Sequence, residues 1–119
     1  MPSRPGEAGA GAQRWVRACR LDEAEAGPIV PVLVGGRHLV LVRDGATIVA
    51  AERACPHEGA DLARGRCANG RLLCPHHRAS FDLRDGQVSA GWPTRPLRLY
   101  PVEIRNAEVF VDASDLVQG

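Results

Sequence analysis

Short runs of apolar residues alternating with polar ones, cut by turn dipeptides, dominate the chain and predict β-strands over residues 15–19, 29–34, 38–43 and 47–52. Gly35-Gly36 and Asp44-Gly45 separate the last three of these as tight turns would, so the pattern is a meander of antiparallel hairpins. Residues 21–26 allow one helical turn before Gly27-Pro28 stops it. Between residues 53 and 86 the alternation breaks down into glycine-punctuated loops, with strands expected only at 65–68 and 71–74. The meander resumes at 87–90, passes a proline-rich stretch at 91–97, and ends in strands at 99–105 and 108–112 around an Asn106-Ala107 turn. Residues 1–13, rich in Gly, Ala and Pro without apolar periodicity, read as a flexible tail, and 114–119 as a short polar one.

At 119 residues the chain holds one domain, which excludes a large multidomain enzyme. Hydrophobic residues make up 45% and charged residues 24%, the proportions of a folded globular protein. Aromatic residues are scarce, and Trp15, Phe81, Trp92, Tyr100 and Phe110 are expected to be the large anchors of a thin core that a bound metal would help. Fifteen arginines against fourteen acids give a net charge of +1 without a basic block, which speaks against nucleic-acid binding. No apolar leader opens the sequence and no run approaches a membrane span, so a cytoplasmic protein without membrane partners is predicted. In that compartment Cys19, Cys55, Cys67 and Cys74 are expected to be metal ligands or buried thiols rather than a disulfide framework.

The chemistry concentrates in Cys55-Pro56-His57 and Cys74-Pro75-His76-His77, with 16 residues between His57 and Cys74. A thiolate and an imidazole two or three residues apart on a turn can both point inward, and a hairpin between two such loops brings the pairs face to face. Four donors from two loops suit one metal site, either an iron–sulfur cluster or a structural zinc. Spacing alone leaves His76 and His77 as alternatives, because Cys74-Pro75-His76 repeats the first loop. Cys19 and Cys67 read as small buried hydrophobes, His38 as a solvent-facing or hydrogen-bonded strand residue, and Glu58 and Asp61 as loop or capping residues. Arg64, Arg66 and Arg78 read as solvated charge, with a docking patch for an acidic partner as the alternative.

At these loops the sequence resembles the Rieske iron–sulfur proteins, whose motif is Cys-x-His followed after about 15 to 17 residues by Cys-x-x-His. Phe81-Asp82 and Asp85-Gly86 fall where the family has Phe-Asp and a turn glycine, and Trp15, Leu62, Gly65, Pro93, Pro96-Leu97 and Tyr100 extend the likeness over residues 14–112. Arg78 stands where the family usually has glycine. The resemblance implies one [2Fe–2S] cluster per chain, with Cys55 and Cys74 on one iron and His57 and His77 on the other. It also implies an all-β fold, an antiparallel sandwich or partial barrel over 14–113, built from 14–54 and 87–113, with a small loop-rich cluster-binding subdomain at 55–86. High-potential family members carry two extra cysteines, a serine and a tyrosine where this chain has Ala60, His76, Ala79 and Phe81, so a potential at the low end of the ~−150 to +300 mV Rieske range is expected. The implied function is that of a ferredoxin. A flavoprotein reductase would load one electron and a terminal oxygenase would remove it, both docking at the His57/His77 tip, so the protein is a component of an oxygenase system rather than a catalyst by itself. A nitrite reductase small subunit shares the fold, but such subunits often lack the ligands that are all present here; a zinc-stabilised interaction module is the reading from another class.

Overall fold

The computed structural model describes residues 14–56, 59–75, 79–92 and 94–114. The tail expected at 1–13 and the C-terminal residues from 115 on lie outside these segments. Among the described residues ten strands form three antiparallel sheets. The first sheet has the order β1 (Trp15–Arg20), β10 (Glu108–Asp112), β9 (Val102–Arg105); the second β2 (Ile29–Val34), β3 (Arg37–Asp44), β4 (Thr47–Glu52), β8 (Leu99–Tyr100); the third β5 (Arg66–Ala68), β6 (Arg71–Leu73), β7 (Ser80–Asp82). The expected helical turn is a single turn, α1, at Leu21–Ala24. The all-β antiparallel architecture is the one expected, and no barrel closes among the described residues.

The second sheet is the middle layer because its central strand has no polar face. Leu39, Val40, Leu41 and Val42 of β3 are each at most 1% exposed. Since successive strand side chains point to opposite faces, Leu39 and Leu41 enter one core and Val40 and Val42 the other. The first core joins them to Val109, Val111 and Cys19 of the first sheet, with Ala50 and Tyr100. In the second, Val40, Val42 and Ala51 pack on Leu62, Leu72, Phe81, Leu83 and Leu97, and this core also contains Cys55 and Cys74. Pro31 sits in β2, an edge strand, where its missing N–H leaves no ladder bond unmade in the interior of the sheet.

Three expectations change. The strand expected over 99–105 is two strands in different sheets: Leu99 and Tyr100 pair with Ala51 and Ala50, and Val102–Arg105 pairs with β10. Pro101 divides them, since it has no N–H to continue a ladder, while its carbonyl accepts from Asp112 N at 3.0 Å. The strand expected at 87–90 is reduced to a bridge between Val88 and Phe81, and the chain forms β7 instead, closing a three-stranded sheet where a two-stranded hairpin was read. The core is also more aliphatic than the aromatic count suggested. Phe81 is fully buried and Tyr100 nearly so, but Trp15, Trp92 and Phe110 are only half-buried, and Phe110 lies beneath the Arg105 guanidinium, 4.2 Å from its ring centre.

Two backbone positions test how the layers are locked. Gly86 has φ +80°, and a Cβ there would run into the Leu97 carbonyl, while Leu97 N donates to Gly86 O at 2.8 Å. Ala107 occupies a hairpin turn with φ +63°, a region that disfavours any side chain. Denaturant unfolding should therefore show Gly86→Ala destabilised by about 2 kcal/mol or more, and Ala107→Gly stabilised by about 0.5–1 kcal/mol once glycine's entropy is set against the relieved strain. Gly27→Ala, at an open position with ordinary φ, should be near neutral.

Candidate metal centre

Each of the two Cys/His loops is the mouth of a hairpin whose neck is fastened. The first leaves β4 through Arg53; Ala54 bridges Asp61, and Leu62 N donates to Arg53 O at 2.8 Å. Arg53 adds a two-pronged ion pair, Nε and Nη2 donating to the Asp61 oxygens at 2.8 and 3.0 Å. Asp61 also accepts from Ala63 N at 3.0 Å, capping the 3₁₀ turn Leu62–Arg64, so the capping role expected of it is present. The second loop springs from the β6–β7 pair, where Leu73 lies opposite Ser80 and Arg71 Nε donates to the Ser80 hydroxyl at 2.8 Å. Gly65 joins the two necks: a Cβ there would strike the Leu73 carbonyl.

The loops repeat one another in their backbone. Cys55 N donates to Ala60 O at 2.8 Å, and Cys74 N to Ala79 O at 3.0 Å, the same closure across five residues. In the first loop Gly59 N also donates to Cys55 O at 2.7 Å. These bonds put two cysteines at equivalent places in twin loops, and both are buried, Cys55 at 2% and Cys74 at 5% exposure. None of the four cysteines is in a disulfide. The other two behave differently. Cys19 is buried in the first core, as expected; Cys67, expected to be buried, is half-exposed because its strand is at the sheet edge, and its thiol donates to Arg43 O at 3.4 Å. Burial pushes both of these thiols up, away from the thiolate that binds metal.

His57 and His77, with Glu58, His76 and Arg78, lie outside the described residues. Among the described residues no group of three or more His, Cys, Asp or Glu is gathered to hold a metal ion, and the described part of the site is its thiol half. His38 is exposed, as expected, and lines an open cleft of about 310 Å³ with Arg53, Ala54, Gly59 and Asp61 beside the first loop.

A third segment closes on the same region. Glu52, the last residue of β4, accepts from Arg95 Nη1 and Nη2 at 2.7 and 2.8 Å and from Arg98 N at 2.7 Å, while Glu52 N donates to Arg98 O at 3.1 Å. The proline-rich strap is thereby held against the strand that leads into Cys55, and Leu97, 2% exposed, plugs into the second core. This clamp and the Arg53–Asp61 pair were not read from the sequence. The sequence offered Asp61 only as a loop or capping residue, and nothing local links it to Arg53 or Glu52 to Arg95.

The donors present suit an iron–sulfur cluster: two sheltered thiols stand at equivalent places in matched loops, and each loop continues into a histidine in the sequence. The Rieske [2Fe-2S] domain family matches residues 14–101. The chain belongs to this family. A relative is the ferredoxin component of the naphthalene 1,2-dioxygenase system of Pseudomonas putida, 30% identical over 101 residues that span 85% of this chain and 97% of that one. Among solved structures, the ferredoxin of carbazole 1,9a-dioxygenase from Nocardioides aromaticivorans superimposes with a TM-score of 0.74 at 31% identity, over 82% of this chain and 96% of that one. A ferredoxin solved in complex with the carbazole 1,9a-dioxygenase oxygenase gives 0.72 at 30% identity, over 85% and 94%. As a Rieske domain the protein holds one [2Fe–2S] cluster. The comparisons favour neither the zinc module nor the nitrite reductase subunit. No helix among the described residues is long and apolar enough to cross a membrane.

The neck of the first loop should be acid-sensitive. The Arg53 guanidinium, helped by the Ala63 N–H, holds the Asp61 carboxyl at about 2 instead of 3.8. A carboxylate whose folded value is depressed stabilises the fold above its unfolded value and loses that contribution as pH falls toward the folded one. Stability should therefore drop between about pH 4 and pH 2, and Asp61→Asn should flatten this part of the profile in urea titrations at stepped pH. The drop will be modest, because the Asp61 side chain is 36% exposed.

Proposed function

We propose that this protein is the Rieske ferredoxin of a ring-hydroxylating dioxygenase system, carrying one electron at a time from a flavoprotein reductase to the terminal oxygenase. The observation that carries the reading is the pair of buried cysteines in loops closed by the same backbone bond, in a chain that is ferredoxin-like over nearly its whole described length. In it Cys55 and Cys74 ligate one iron, and His57 and His77, at the outer ends of the loops, ligate the other and form the edge at which both partners dock. When bound, the cluster takes up and releases a single electron, at a potential raised by imidazole ligation above that of all-cysteine ferredoxins.

The chain's own contribution is to bury, hold and insulate the thiolates. Leu62, Leu72, Phe81 and Leu97 wall the cysteines from water, and the fastened necks restrict how far the loops can shift between the two charge states. Little rearrangement is then needed on electron transfer. Ala60, Ala79 and Phe81 are buried beside or within the loops and bring no hydroxyl to a cysteine sulfur, which supports a low potential. The protein offers a conduit and no substrate chemistry.

Electron paramagnetic resonance of the dithionite-reduced, iron-loaded protein tests the reading. A Rieske spectrum, with an average g value below that of all-cysteine clusters, is expected; a colourless protein containing zinc would refute it. His77→Ala should abolish that signal and His76→Ala should keep it, and the reverse would transfer the ligand role to His76. Ala79→Ser, which puts a hydroxyl into the second loop, should raise the midpoint potential by on the order of 50 mV in a spectroelectrochemical titration, the equivalent of one charge-assisted hydrogen bond that strengthens on reduction.

A further inference from the structure

The charges of this chain are unevenly divided between its two halves. Residues 51–100, which include both Cys/His loops, the third sheet and the strap, hold eight arginines against five carboxylates; the remainder holds seven against nine. The structure shows which of the eight are neutralised where they stand. Glu52 is engaged by Arg95, Asp61 by Arg53, and Asp82 by Arg84 at 2.9 Å with Arg71 at 3.9 Å. Arg64, Arg66 and Arg98 are exposed and form no ion pair among the described residues.

Two of these arginines stand beside the loops. Arg64 ends the 3₁₀ turn that Asp61 caps, and Asp61 bridges the residue before Cys55. Arg66 pairs across β5–β6 with Leu73, the residue before Cys74. Next to the first loop lies the open cleft of about 310 Å³, with largely apolar walls that include Ala54 and Gly59. The carboxylates of α1 and of the first sheet, Asp22, Glu23, Glu103 and Glu108, belong to elements on the other side of the middle sheet.

We infer that the loop end of this protein is a docking face for an acidic surface of its redox-partner protein, with Arg64 and Arg66 as the steering charges and the apolar cleft beside them as the seat. The inference rests on the ferredoxin reading and adds the chemistry of the partner. An apolar seat excludes water at closest approach, and unpaired charges at its rim accelerate encounter without needing to be buried. Arginines already paired with a carboxylate contribute little to such a field, and of the three described ones that are unpaired Arg64 and Arg66 are those that stand beside the loops.

Stopped-flow oxidation of the reduced holoprotein by two small oxidants of opposite charge reads the field at the loop end. One electron leaves the protein for each oxidant ion, turning ferricyanide into ferrocyanide or hexaamminecobalt(III) into cobalt(II). With the wild type, the ferricyanide rate should fall and the cobalt rate rise as salt is added. At low salt Arg64→Glu with Arg66→Glu should slow ferricyanide by about tenfold and speed cobalt. Arg17→Glu with Arg105→Glu, the same change in net charge on the first sheet, should move either rate by less than about twofold. Equal effects of the two double variants, no effect of the first, or a wild-type rate with cobalt that falls with salt would overturn the acidic-partner inference. The resonance spectrum of the same samples separates the two failures: a Rieske signal with unresponsive kinetics defeats only the docking face, whereas no signal defeats the ferredoxin reading and this inference with it.

Discussion

Everything in this molecule is arranged around one strand that is buried on both sides. Leu39 to Val42 in β3 send alternate side chains into two separate cores, and burying each such residue is worth about 1.5–3 kcal/mol, so neither neighbouring layer can be removed without exposing half of the strand. One layer is the β1–β10–β9 sheet, which serves stability. The other is the loop-bearing unit, whose cysteines are members of the second core and share the packing of Val40, Val42 and Ala51. The two cysteines are therefore anchored by the same packing that makes the fold stable.

The bases of the loops are held by further bonds, each acting where the hydrophobic layer does not reach. The equivalent bonds from Cys55 N to Ala60 O and from Cys74 N to Ala79 O set the mouth of each loop. Arg53–Asp61 fastens the neck of one, Arg71–Ser80 that of the other, and the Glu52 clamp holds the strap against the strand that leads into Cys55. Exposed ion pairs contribute little to global stability, but here they act on short connections with no regular secondary structure, where a fixed geometry is what electron transfer requires. A carrier that exchanges one electron works faster the less its ligands must move, and the twin fastenings serve that end.

Belonging to the Rieske family also explains an economy in the sequence. Among the described residues, the carboxylates near the loops are spent on fastening: Asp61 holds Arg53 and Glu52 holds Arg95, while Arg64 and Arg66 stay exposed. Specificity in such a protein resides in surface charge and in potential, both of which can vary without disturbing the cores.

Strand positions and ligand candidates were legible in the sequence because both are local: a period of two over five or six residues, glycine pairs at turns, and Cys-x-His spacing within a few positions. Even the short helical turn at Leu21–Ala24 and the capping role of Asp61 could be read this way. Tertiary structure alone decided that the run from Leu99 to Arg105 serves two sheets, that β3 faces two cores, and that Phe110 lies beneath an arginine instead of inside. It also decided which arginines are spent: Arg95 meets a carboxylate 43 positions away, whereas Arg64 and Arg66, close to Asp61 in sequence, pair with none among the described residues. Local patterns specify which conformation a segment prefers. Which surfaces and charges meet depends on contacts between segments far apart in the chain, and no short window of sequence contains both partners.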